Sequence, residues 1–272
     1  MNQVAQTGET LVVGGTGKTG RRVMERLERA GVTARSASRR SEPPFSWDDS
    51  TTWPDVLRGV DRLYAVYPGM GTEEEQEPVG EFIQAAAAAG VRRFVLLNIW
   101  PSDSAVGSAL RESGMEWTTV TPSWFNQNFS DDYVQKFREE IRTGVMATSY
   151  GDSAFAFIDA DDIADVVVAA LREDGHAGEE YYLNGPRALT FAQATEEIGK
   201  ALGRRIEYTE LTVPQYAERM VTLGLDKELA AAMAETADIV EEPSGDVERA
   251  LGRAPKDFTE YAREAAATGV WG

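Results

Sequence analysis

Chemistry in this chain can begin at one run, Gly14-Gly15-Thr16-Gly17-Lys18-Thr19-Gly20. It follows the apolar Leu11-Val12-Val13 and precedes apolar residues at 23, 24, 27 and 30, which share one helical face. The layout is strand, glycine turn, helix. Such a turn aims the free N–H groups and positive dipole end of a helix at a phosphate. Glycines at 14, 17 and 20 have dinucleotide-turn spacing. One makes the tight turn, one admits phosphate to the backbone, and one lets the helix pack on the strand. Gly17-Lys18-Thr19 also matches the end of a triphosphate-binding loop, but Val12 stands where that motif needs its first glycine. A dinucleotide is therefore expected.

Which dinucleotide is read at the end of the next strand, expected over 32–38. An NAD-preferring protein carries an acid there, about 20 residues past the turn, for the ribose hydroxyls. This chain has Ser38-Arg39-Arg40 and no acid. Guanidinium groups offer charge-assisted, bidentate hydrogen bonds to a 2′-phosphate. The expected cofactor is NADPH (NADP), with Arg39 the main contact and Ser38 and Arg40 accessory. Asp48 either accepts from the adenine amino group or belongs to the turn Asp48-Asp49-Ser50. Tyr67-Pro68-Gly69, with Met70-Gly71 after it, follows an expected strand at 62–67. Glycines there would bring backbone close to ribose or nicotinamide.

A second constellation is Ser123-Trp124-Phe125-Asn126-Gln127-Asn128-Phe129, just past an expected strand at 117–120. Three amides interleaved with aromatics suit a largely apolar pocket facing the cofactor crevice. Other candidates fall away. With no cysteine and one histidine, the chain has no disulfide, thiolate or multi-histidine metal chemistry, and no metal is expected. His176, in Asp174-Gly175-His176-Ala177-Gly178, reads as a solvated loop residue. The acids from Asp159 to Asp165 lack the glycine and final glutamate of a calcium loop and suit the start of a helix.

The elements that position these residues alternate. Beyond those above, a short strand is expected at 45–47 and helices at 53–57, 73–89 and 105–113. A buried strand at 94–99, a helix at 162–171 and a strand at 181–183 follow. This is α/β, a doubly wound parallel sheet of the NAD(P)-binding Rossmann type. Residues 1–122 form that domain, with 145–183 completing the sheet. Residues 123–144 and 184–272 form a smaller, mostly helical substrate lobe. In it Thr190-x-x-Gln193 and Thr212-x-x-Gln215 are capping boxes, 206–211 is a strand, and 226–242 and 256–267 are helices.

At 272 residues the chain is long enough for that arrangement, and its net charge of −18 excludes nucleic acid as a partner. Residues 1–40 nevertheless carry eight basic and three acidic residues. A solvated helix face accounts for Arg22, Arg26 and Arg29, and accounts less well for Arg39 and Arg40. No apolar run approaches the roughly 18 residues of a membrane helix, and residues 1–9 lack the regions of a signal peptide. A cytoplasmic protein, monomeric or homodimeric, with a small-molecule substrate is expected.

These residues together resemble the NmrA-like branch of the atypical short-chain dehydrogenases/reductases. The resemblance runs through the glycine turn, Ser38-Arg39, Gly90-Val91-Arg92-Arg93-Phe94-Val95-Leu96-Leu97 and Thr121-Pro122-Ser123-Trp124-Phe125-x-x-Asn128-Phe129. Asp161-Asp162-Ile163-Ala164, Gly185-Pro186-x-x-Leu189-Thr190 and Leu202-Gly203-Arg204-Arg205-Ile206 follow in order. Phe45-x-Trp47-Asp48-x-x-Thr51-x-Trp53 is most similar to the subgroup with ergot-alkaloid iminium reductases and quinone reductase-like proteins. The resemblance implies either an NAD(P)H-dependent reductase or a non-catalytic NADP-sensing regulator. The Tyr-x-x-x-Lys pair of ordinary short-chain dehydrogenases is missing, for no Tyr or Lys occurs between Tyr67 and Tyr133, and Asn98 stands where their serine would. An iminium, quinone or enone acceptor, which needs no strong acid, is the expectation. Asn98, Asn126 and Tyr133 would be the polar catalytic helpers, with Asn98 also beside the cofactor. Met70, Trp100, Trp124, Phe125 and Asn128 would contact substrate, although Trp100 reads equally well as core.

Overall fold

The computed structural model describes residues 8–69, 71–131, 135–235 and 239–272. Two compact units divide the chain. The first holds Met1–Pro122, Ala160–Leu183 and Arg249–Gly252, and the second holds Ser123–Asp159, Asn184–Glu248 and Arg253–Gly272.

The first unit opens with β1 (Glu9–Val13), α1 (Lys18–Arg29), β2 (Ala34–Ala37), α2 (Trp53–Leu57), β3 (Val60–Val66), α3 (Gln76–Ala88), β4 (Arg93–Leu97), α4 (Ala105–Glu112) and β5 (Glu116–Pro122). The chain then supplies α5 (Phe137–Thr143), β6 (Val145–Thr148) and β7 (Ala154–Phe155) to the second unit, and returns with α6 (Ala160–Arg172) and β8 (Glu179–Leu183). The sheet order is β2-β1-β3-β4-β5-β8, and every neighbouring pair is parallel. Parallel strands need cover on both faces. Leu11, Leu63, Phe94 and Leu96 pack with Phe82 of α3 and Leu110 of α4. Val12, Tyr64 and Val95 alternate with them, so they face the other way, and are 0% exposed. Helices α1 and α6 pack together over that second face. The sheet is thus doubly wound, as the alternation predicts.

Two details of the sheet differ from expectation. Residues 45–47 form no strand; Ser46 and Asp49 make a lone bridge, while Phe45 and Trp47 wedge edge-on against Phe82 at 5.3 and 4.9 Å. Burying two aromatic rings there outweighs a third strand pairing. Of residues 145–183, only Glu179–Leu183 joins the sheet. Gly144, at φ +89°, turns the chain from α5 straight into β6, which pairs instead with β10 (Glu207–Glu210).

The second unit continues with β9 (Leu189–Thr190), α7 (Phe191–Leu202), β10, α8 (Val213–Thr222) and α9 (Lys227–Ala234). The segment α10 (Asp246–Leu251) and then α11 (Phe258–Ala267) close the chain. Its core is aromatic: Phe129, Phe137, Phe157, Phe191 and Phe258 are all buried, and the Trp271 indole N–H donates to the Phe129 carbonyl at 2.7 Å. Both capping boxes form reciprocally, at Thr190 with Gln193 and at Thr212 with Gln215. The helix expected over 226–242 ends at Ala234, and Val240 is extended in a parallel bridge to Ala154. Backbone pairing with β7 overrides the helical pattern there.

His176 is not a solvated loop residue. It is 7% exposed, its Nδ1 lies 2.8 Å from the Tyr181 hydroxyl, and its carbonyl accepts from Thr118 Oγ1 at 2.7 Å. Burial pushes its imidazole below the ordinary value. Among the described residues no helix is long and apolar enough to cross a membrane.

Candidate active site

In the first unit the chain runs from β1 outward to β2, then crosses back to β3 on the other side of β1. Ligands of open α/β sheets bind outside the carboxyl ends of the strands at such a switch point. The residues there are the glycine turn after β1 and Tyr67-Pro68-Gly69 after β3.

The turn is built by close approach. Gly14 has φ +83°, which favours glycine. A Cβ on Gly20 would lie 2.1 Å from the Gly14 carbonyl oxygen, so helix and turn touch backbone to backbone. Gly17 is the N-cap of α1, with no side-chain cap and no acid in the first turn. Nothing acidic in that turn competes with an anion for its amides. Such a cradle fits a diphosphate.

The basic residues divide as their surroundings dictate. Arg22 and Arg26 reach Asp161 of α6 at 3.4 and 2.9 Å, and Arg26 also bonds Asp165. Asp161 and Asp165 of the acidic run thus serve the packing of α6 on α1. Arg29 pairs with Glu25 and Arg35 with Glu9. Arg39 and Arg40 are exposed and join no ion pair among the described residues. They stand on a tight turn in which the Ser38 N–H donates to Ser41 Oγ at 2.9 Å and the Arg40 N–H to Ser38 Oγ at 3.2 Å. Asp48 is exposed, in a turn where its N–H donates to Ser46 Oγ at 3.2 Å.

Past β3, the Glu75 carboxylate accepts the N–H groups of Gly71 and Thr72 at 2.8 and 3.0 Å. It gathers the loop that carries Pro68 and Gly69. Tyr67 meets Trp47 edge-on at 5.2 Å and Trp100 at 5.8 Å. Burial first, then the carboxylates of Glu75 and Asp48, push its phenol above the ordinary value. Trp100 is 3% exposed in the first unit's core, and its indole N–H donates to the Thr72 carbonyl at 3.1 Å. Of its two readings, its position is that of core.

Asn98 is 8% exposed and largely committed. Its Nδ2 donates to the Trp100 carbonyl at 2.6 Å and to Thr121 Oγ1 at 3.4 Å. Its Oδ1 accepts the Trp100 N–H at 3.3 Å. Both N–H donors are engaged, so Asn98 keeps only acceptor capacity for a ligand. Any role as a donor to a substrate oxygen is therefore closed to it.

In the second unit, Trp124 and Asn126 exchange backbone bonds with Ile158, at 2.9 and 2.8 Å. This places residues 124–126 as a short extended piece ahead of a single 3-10 turn, Asn126–Asn128. Trp124 is half-buried and meets Tyr150 and Phe191 edge-on at 5.4 and 5.3 Å. Phe125 is half-buried and Asn128 buried. Gln127 Nε2 donates to Asp159 Oδ1 at 3.1 Å. Asn126 differs from both of its amide neighbours. Its side chain is 0% exposed, and among the described residues neither Oδ1 nor Nδ2 has a hydrogen-bond partner. Met70 and Tyr133 lie outside the described residues. A groove of about 490 Å³ runs along the carboxyl end of α7 beside Lys200, Arg204 and Arg205. None of the expected site residues lines it.

The sequence reading missed Glu75, whose acid passes for ordinary first-turn charge, and the bond between Tyr64 and Thr19 at 2.9 Å. A tyrosine within the apolar stretch Leu63-Tyr64-Ala65-Val66 of a buried strand is the signal that could have found the latter.

The NmrA-like family model matches residues 45–263. That span excludes the glycine turn, which rests on the geometry above. An oxidoreductase of Bacillus subtilis, YesF, is 32% identical, with 96% of this chain and 97% of the relative covered. An NAD(P)H azoreductase from Xenophilus azovorans is 31% identical over 94% and 98%, and festuclavine synthase I of Penicillium roqueforti 32% over 93% and 96%. The crystal structure of an Escherichia coli NADPH-dependent quinone oxidoreductase with NADPH superposes at a TM-score of 0.78, with 21% identity over 94% and 99% of the chains. That likeness is one of fold.

Proposed function

The chain belongs to the NmrA-like family, and on that premise we propose that it is an NADPH-dependent reductase. Its acceptor is an iminium, quinone or enone-type small molecule, aromatic or polycyclic. One observation carries the cofactor choice: Arg39 and Arg40 stand exposed, without ion pairs among the described residues, at the end of β2, next to the strand that feeds the uncapped α1. Relatives named as an NAD(P)H azoreductase and an oxidoreductase support the reaction class.

Residues Gly14 to Gly20 would hold the diphosphate, and Ser38, Arg39 and Arg40 the 2′-phosphate. Asp48 would meet the adenine, and Tyr67-Pro68-Gly69 the ribose side of the nicotinamide. Asn98 would accept a hydrogen bond from the cofactor with its remaining lone pair. When bound, the nicotinamide supplies the hydride. The protein needs no strong acid for these acceptors. An iminium already carries the charge that draws hydride, whereas a quinone or enone needs a donor on its oxygen. The Asn126 amide has that donor uncommitted. Trp124, Phe125 and Asn128 supply the aromatic and polar contacts to the substrate. The protein works as a monomer or homodimer in the cytoplasm.

The commitment of Asn98 to its own loop favours a second reading, an NADP-sensing regulator without turnover. NADPH oxidation across quinones, enones and cyclic imines separates the two. Turnover with any of them supports the reductase. Cofactor binding with no turnover on the whole panel supports the sensor.

A further inference from the structure

We propose that Tyr64 is a positioning residue for the cofactor diphosphate, acting through the hydroxyl of Thr19. The inference rests on the NADPH reading above and goes beyond the residues assigned there. Tyr64 lies in the middle of β3, 0% exposed, on the sheet face that α1 and α6 cover. An apolar side chain would serve packing at that place, and a phenol is costly there without a partner. Its hydroxyl donates to Thr19 Oγ1 at 2.9 Å. Burial drives the phenol far above its ordinary value, so it remains a donor at any working pH.

The bond has two consequences. Thr19 is the second residue of α1, so β3 grips the first turn of the helix that carries the phosphate-binding amides. Gly20, one residue on, is pressed against the Gly14 carbonyl. The turn is thereby held from the strand on one side and from its own backbone on the other. Second, the Thr19 oxygen is used as an acceptor, and among the described residues its own hydrogen has no acceptor. Thr19 is 3% exposed, in a first turn with no acid and no side-chain cap. An anion seated on that turn is the acceptor that this hydroxyl lacks, and Tyr64 directs the hydroxyl hydrogen away from the sheet and toward it.

The test uses the full chain and two probes, NADPH and adenosine 2′-phosphate, which lacks the diphosphate. Tyr64→Phe should raise the Kd for NADPH about tenfold, because a Thr19 hydroxyl that the phenol no longer directs forfeits its hydrogen bond to the charged diphosphate. It should leave adenosine 2′-phosphate binding unchanged. Thr19→Val should match it, the double variant should be no worse than either, and Thr19→Ser should restore binding. Should Tyr64→Phe not fold, the Thr19 pair carries the same comparison. Equal weakening of both probes would make the pair merely structural and overturn the inference. Unchanged NADPH affinity in Tyr64→Phe or Thr19→Val would overturn it as well, with the cofactor reading intact. If the wild-type protein does not bind NADPH, both readings fall.

Discussion

Arg39→Ala tests the cofactor choice most directly. Arg39 is exposed at the end of β2 and takes part in no ion pair among the described residues, so its removal breaks no salt bridge of the fold. The turn beneath it is made by Ser38 and Ser41 and by the Arg40 backbone, and survives the change. A hydrogen bond to a charged group contributes about 1.5–3 kcal/mol. Solvent and salt around an exposed guanidinium hold it to the lower end. About 1.5 kcal/mol corresponds to roughly a tenfold rise in Kd. NADH carries no 2′-phosphate, so its Kd should move less than about twofold on the same scale. Fluorescence titration of both cofactors against both proteins reads the difference directly. Repeating it at low and high salt adds a check, because the wild-type preference for NADPH should shrink with salt more than the variant's. Equal losses for NADPH and NADH would refute the 2′-phosphate assignment.

Gly20→Ala would set a methyl 2.1 Å from the Gly14 oxygen, against backbone that cannot yield. It should destabilise the protein by about 1–3 kcal/mol and weaken NADPH well beyond Arg39→Ala, both visible in a thermal melt with and without cofactor. Asn126→Leu removes a buried amide with no partner among the described residues. Thermal stability should hold or rise, because an unsatisfied buried amide costs about 1–3 kcal/mol, while kcat/KM for quinones or enones should fall; a loss of stability with unchanged turnover would assign Asn126 to the fold. His176 is held below its ordinary value by burial, so as pH falls the unfolded chain takes a proton that the native protein refuses. Its share of stability is present above about pH 6.5 and declines below it. Denaturant melts should therefore show a flatter acid limb in His176→Gln than in wild type.

Much of the frame is legible from local chemistry. Pro54 at the first turn marks α2, and the two Thr-x-x-Gln boxes mark the starts of α7 and α8, because a cap is a contract between residues three apart. The glycine turn and the arginines after β2 are legible for the same reason: a left-handed φ at Gly14 and two arginines directly after Ser38, where an acid would otherwise stand, are properties of the residues themselves. Within the second constellation the residue types are readable, but not their partners. Gln127 and Asn126 are adjacent amides, yet the side chain of one bonds Asp159 and that of the other has no partner among the described residues.

The sequence by itself therefore determined the alternating parallel architecture, the glycine turn and the pair of arginines that follows β2. Each follows from periodicity, capping or φ preference acting over a few residues. Only the tertiary structure decided that Val145–Thr148 pairs with Glu207–Glu210 instead of extending the sheet, and that Phe45 and Trp47 sink onto Phe82. It also decided that His176 is buried against Tyr181, that Asn98 spends its donors on its own loop, and that Tyr64 grips Thr19. Strand pairing and the desolvation of a side chain depend on residues far along the chain. No local pattern encodes which distant group will arrive to meet them.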